Sequence, residues 1–155
     1  MKKFFNILLT ILLHIWQLPQ NILAWIMMLY CRLVFGKVVS SRDYKGIKYY
    51  FYPKWRCGVS LGNYVLLGDC FEERLDIIAH EYGHTRQSLF FGPLYLILIG
   101  APSGLGNLYD RIFHTKERGW SYEQSYYWYY HQPWEKWADD LGGVDRFNEN
   151  KKEVE

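Results

Sequence analysis

His80-Glu81-Tyr82-Gly83-His84, HEYGH, decides how this chain is read. Two imidazoles stand four residues apart with a carboxylate beside the first. In a chain with 5 His among 155 residues, H-E-x-x-H arises by chance on the order of one time in a hundred. The pattern carries chemistry only if a helix lies beneath it. Phe71, Leu75, Ile78, Tyr82 and Leu89 recur at three-to-four-residue spacing, broken by Arg86, and predict that helix. Asp69 is the expected N-cap, with Glu72 three residues on, and Gly92-Pro93 ends the segment. Four residues turn a helix by about 400°, so His80 and His84 project from one face and can share a metal ion. Glu81 lies about 100° round, where a carboxylate can face a metal-bound water. The bland alternative is a solvated helix that carries two His.

A catalytic zinc site takes three protein ligands and keeps one position for water. A third His six residues after His84 would mark a metzincin, but Phe90 stands there. The alternative is a carboxylate on a second helix. PWEKWADDL, residues 133–141, places Pro133 at a helix start and stops before Gly142-Gly143. Glu135 and Asp139 share a face of it. Glu135 is the candidate third ligand, and Asp139 could accept the N–H of His80. His131, ahead of Pro133, reads as a loop or capping residue. His114, between polar neighbours, reads as exposed, and Asp140 is out of phase with Glu135.

HEYGH followed by E-x-x-A-D (Glu135, Ala138, Asp139) resembles the gluzincin metallopeptidases. It is most similar to their integral-membrane branch: heat-shock membrane zinc proteases, CAAX prenyl endopeptidases and the sensor proteases of β-lactam resistance. The resemblance covers two short helices. It implies Zn2+ held by His80, His84 and Glu135, Glu81 as general base, Asp139 supporting a His, and a peptide or protein substrate. The expected fold class is α+β: a minimal zincin-like domain, with a small sheet, the HExxH helix and the second ligand helix, behind an apolar helical membrane segment.

That segment is residues 1–37, which carry Lys2, Lys3, Arg32 and Lys37 and no acid, whereas the whole chain is only +2. Phe4 to Phe35 would extend about 48 Å as a helix, beyond a hydrocarbon core of roughly 30 Å. Pro19 argues for a kink. One tilted, kinked span, a shallow helical hairpin and a signal peptide all fit, the last without an evident A-x-A cleavage site; buried helices of a soluble protein are the bland reading. His14 within it reads as a packing or interfacial residue. Lipid is an expected partner. Arg32, Lys37, Arg42, Lys45, Lys48, Lys54 and Arg56 outweigh Lys2 and Lys3, which puts the catalytic side in the cytoplasm by the positive-inside rule. Cys31, Cys57 and Cys70 have no paired spacing and read as reduced thiols.

Residues 38–146 are the expected catalytic domain and 147–155 a polar tail. IKYYFY and GVSLGNYVLLG read as strands, and Leu61–Leu66 is the candidate free edge onto which a substrate peptide adds; ordinary sheet core is the alternative. Leu94–Ile99 is too short to span a bilayer and fits a buried strand, a helix turn or a membrane-dipping segment. The Trp- and Tyr-crowded stretch 120–137 fits an interfacial belt or a small core, and one of Tyr126 to Tyr130 is a candidate oxyanion donor. No phosphate-binding glycine loop or nucleic-acid motif occurs, so no nucleic-acid partner is expected.

Overall fold

The computed structural model describes residues 2–147. It is α+β, with six α-helices and a small mixed sheet among those residues. Strands β1 (Ser40–Tyr44), β2 (Ile47–Tyr52), β3 (Gly58–Leu61) and β4 (Tyr64–Gly68) lie in the order β1-β2-β4-β3. β2 and β4 run parallel, and the other pairs are antiparallel. Leu61–Leu66 therefore is not an edge: it runs from the end of β3 through a turn into β4, which is paired on both sides. The free edge near the helices is β3 itself.

The pleat sorts side chains onto two faces. Tyr49, Phe51, Val65 and Leu67 meet Ile78 of α3 (Leu75–Phe91) in one core cluster. Leu66 and Tyr52 meet Cys31 of α2 (Leu18–Val34) in the other. The sheet is thus the middle of three layers, with α2 behind it and α3 in front. α1 (Lys2–Trp16) precedes α2, and the two are bent by 78° between Trp16 and Leu18. No single described helix is long and apolar enough to cross a membrane; α1 and α2 pass that test of length and composition only as a bent pair.

α3 begins later than its sequence suggests. Asp69 does not cap it; Asp69–Phe71 is a 3-10 turn, and Arg74 stands at the helix start without a side-chain cap. The cause is tertiary: Arg42 of β1 donates to the Glu72 carbonyl at 3.0 Å and holds this segment in turns. The expected apolar stripe is also not the buried face. Of Phe71, Leu75, Ile78, Tyr82 and Leu89 only Ile78 is fully buried, and Leu75 is 60 % exposed. The buried face carries His80, Glu81, His84, Thr85, Gln87 and Ser88, because it is enclosed between the sheet and α6 (Pro133–Gly142).

Helices α3 and α6 touch backbone to backbone. A Cβ on Gly83 would overlap the Ala138 carbonyl, and one on Gly142 would overlap the Ala79 carbonyl. The glycine inside HEYGH and the Ala of E-x-x-A-D are the contact that lets the two helices close. Between α3 and α6 the chain runs through a π-helical turn Leu96–Gly100, α4 (Ala101–Tyr109), a second π-helical stretch Asp110–Glu117 and α5 (Tyr122–Tyr130). Leu94–Ile99 is thus helical, with Tyr95 and Ile99 buried and Ile97 and Leu98 exposed. α5 opens with a reciprocal Ser121–Gln124 capping box. Of the expected polar tail, Phe147 packs on Tyr127 and His131, and 148–155 lie outside the described residues.

Candidate metal centre

His80 and His84 reach from consecutive turns of α3 toward Glu135 on the first turn of α6. One donor atom from each lies within 4.8 Å of the others. His80 Nε2 is 3.1 Å and His84 Nε2 3.2 Å from Glu135 Oε2, and Glu135 is fully buried.

The other ring nitrogens define the donor set. His80 Nδ1 faces Asp139 Oδ1 at 2.7 Å. His84 Nδ1 faces Gln87 Oε1 at 2.7 Å, and the Gln87 amide is oriented by donating to the Trp134 carbonyl at 2.7 Å. Both partners are acceptors, so both Nδ1 atoms carry the proton, and a neutral ring then presents its Nε2 lone pair. Two lone pairs and a carboxylate oxygen converge within hydrogen-bond distance. Such a meeting of acceptors is repulsive unless a proton or a cation lies among them. Glu135 Oε1 is buried with no hydrogen-bond partner among the described residues. The residues present fit a divalent metal that prefers N and O donors.

Electrostatics agree with this. Burial pushes the Glu135 carboxyl up, but the His84 and His80 imidazoles outweigh it and hold it well below the usual carboxylate range. Burial pulls His80 down, but the Asp139 and Glu135 carboxylates more than reverse this and lift it to about 9. Without metal, the cluster holds a proton where a cation fits.

The Glu81 carboxylate, on the same buried face of α3, is held against β3 at the sheet edge. Ser60 Oγ of β3 donates to Glu81 Oε2 at 2.6 Å, and a Cβ on Gly58 would sit against the same carboxylate. The Tyr95 hydroxyl donates to the Ser60 carbonyl at 3.1 Å. Burial first, then the Glu135 carboxylate, holds the Tyr129 phenol above the ordinary tyrosine range. Among Tyr126 to Tyr130 it is Tyr130 that touches the His80 ring, T-shaped with centroids 5.2 Å apart.

The structure brings together His80, Glu81, His84, Glu135 and Asp139. Asp140 is exposed and pairs with Lys136 at 3.3 Å. His131 is exposed at the C-terminal cap of α5. His14 is partly buried, with Nδ1 donating to the Thr10 carbonyl at 2.8 Å. The expectation that His114 is exposed is wrong: it is 4 % exposed, pairs with Asp110 at 2.9 Å and stacks on Trp120 at 3.8 Å. Its polar neighbours misled, because the π-helical stretch turns it under the aromatic segment. Sequence reasoning missed three residues that border the site. Ser60 and Gln87 bear no signal beyond being polar within a strand and a helix. Arg146 donates from Nε to both oxygens of Asp139, at 2.9 and 2.7 Å, and only the glycine turn before it hints at its return. No family model matches the chain, and neither does any curated protein or solved structure.

Proposed function

We propose that this chain is a membrane-associated zinc endopeptidase on a minimal zincin-like domain. The observation that carries the reading is the meeting of two Nδ1-protonated imidazoles and one ionised carboxylate around a single point, beside a further carboxylate on the same helix. Bound zinc would be held by His80, His84 and Glu135 and would supply a Lewis acid that polarises the scissile carbonyl and acidifies water. Glu81 takes the proton from the attacking water and hands it to the departing amine. Ser60 holds the Glu81 carboxylate by its 2.6 Å hydrogen bond, and Asp139 holds His80 in the tautomer that leaves Nε2 free. The substrate peptide would extend along β3, whose outer edge borders Glu81.

Membrane association rests on α1 and α2. Phe4, Ile7, Ile11 and Ile15 of α1 are all more than half exposed, and basic residues flank the pair. Exposed apolar surface of this extent is covered by lipid or protein, and the cationic flanks favour anionic lipid. The cation excess over residues 32–56 favours a cytoplasmic catalytic side.

A second reading, a non-catalytic membrane-anchored metal-binding or interaction module retaining a peptidase fold, is favoured by the burial of all of His80, Glu81, His84 and Glu135. A structural site is closed by a fourth protein ligand, whereas a catalytic one stays open to water. The test is hydrolysis of a peptide library by the purified chain with Glu81→Gln as control. Cleavage by the wild type and not by the variant supports the enzyme. No cleavage by either, together with a cobalt spectrum of a closed tetrahedral site, supports the second reading.

A further inference from the structure

Arg146 returns to the site from beyond the end of α6. Gly143 takes a left-handed conformation, φ +79°, and the N–H groups of Gly143 and Val144 both donate to the Asp139 carbonyl, at 2.8 and 2.9 Å. This hook turns the chain back along α6. The Arg146 side chain is 3 % exposed. Its Nε donates to both Asp139 oxygens, and its Nη1 donates to the Tyr126 hydroxyl at 2.9 Å. Its Cζ lies 3.8 Å from the centre of the Tyr130 ring, and that ring abuts His80.

One guanidinium thus holds both groups that border the His80 ring away from Glu135: the Asp139 carboxylate and the Tyr130 ring. We propose that Arg146 is the positioning residue for His80, fixing the imidazole through Asp139 on one side and Tyr130 on the other. A buried carboxylate that accepts only one imidazole N–H is poorly compensated and free to swing. The Arg146 guanidinium meets both faults: its Nε–H, shared between the two Asp139 oxygens, pairs the charge, Nη1 is anchored on Tyr126, and its flat face stacks on Tyr130. Lys offers the charge without the second anchored N–H or the stacking face.

The experiment compares wild type, Arg146→Met, Arg146→Lys and Asp139→Ala, with the Arg146→Met/Asp139→Ala double variant. Two readouts are taken. Zinc affinity by chelator competition rests on the metal reading above. The low-field Nδ1–H proton of His80 in metal-free protein, identified by its loss in His80→Gln, does not. Arg146→Met is expected to weaken zinc roughly tenfold or more, to expose that proton to rapid exchange, and to add a smaller loss, through Tyr130 alone, once Asp139 is already Ala. Arg146→Lys is expected to fall between. If the wild type binds no zinc but Arg146→Met still frees the proton, positioning stands and the metal reading falls. A proton equally protected in Arg146→Met, or an undiminished affinity loss in the Asp139→Ala background, overturns the proposal. Should Arg146→Met not fold, Arg146→Lys decides, and wild-type behaviour there overturns it. Failure of both to fold shows a purely structural role and also overturns it.

Discussion

Asp139 and Asp140 are adjacent and chemically identical, yet one bonds His80 and the other faces Lys136 in solvent. Asp139→Ala should weaken zinc roughly 10- to 100-fold by chelator titration, and Asp140→Ala should barely change it; equal effects would mean that α6 is docked otherwise. Glu81→Gln should retain metal and lower turnover by at least about two orders of magnitude, and near-normal hydrolysis would remove Glu81 from the mechanism. The His80 ring supplies a pH dependence. Its pKa in the metal-free fold is lifted to about 9, and a ligand ring must be neutral. Metal binding below that pH therefore expels a proton, so affinity should rise about tenfold per unit between about pH 6 and 8. The sign for the metal-free fold is opposite: the paired, protonated His80 stabilises it fully below about 6.5, and this is lost as pH rises through about 9. An affinity independent of pH would contradict the His80 assignment. At this scale the candidate ligand residues are legible because helix spacing alone puts His80 with His84 and Glu135 with Asp139. Arg146 is not legible, since its place depends on a glycine hook and on the packing of α5 against α6.

Helix α6 is readable from its punctuation, Pro133 at the start and Gly142-Gly143 at the end. Helix α3 is readable at its end, Gly92, but not in its start or its orientation, because the donor set turns the polar face inward and leaves Leu75 exposed. β1, SSRDY, has only Tyr44 as a strand-forming residue and exists by pairing with β2 from Ser40↔Phe51 to Tyr44↔Ile47, which a local reading cannot see. The α3–α6 crossing makes its own prediction. Gly83→Ala would press a methyl into the Ala138 carbonyl and force the helices apart. Overpacking of this kind costs about 1–3 kcal/mol, so the chemical-denaturation midpoint should fall and zinc should weaken with it. An unchanged midpoint would show that the helices are not in backbone contact.

Across the whole molecule, the three layers place the donor cluster between α3 and α6 on the face of the sheet opposite α2. The apolar N-terminal run is plain in the sequence, but its division of labour is not. α2 turns Gln20, Asn21, Ala24 and Cys31 inward, whereas α1 leaves most of its apolar surface outside. Gln17, Gln20 and Trp16 tie the bend to Ser88, Gly92 and Leu89 at the end of α3. Carbonate-washed membranes should therefore retain the full chain, and release into the supernatant would mean that protein rather than lipid covers α1. The central claim, a metal held by two imidazoles of α3 and one carboxylate of α6, is tested most directly by elemental analysis of the purified chain beside His84→Ala. About one zinc per wild-type chain and almost none in the variant is the predicted result. Full zinc occupancy in His84→Ala, or a wild-type chain that takes up no zinc when it is supplied, would contradict it.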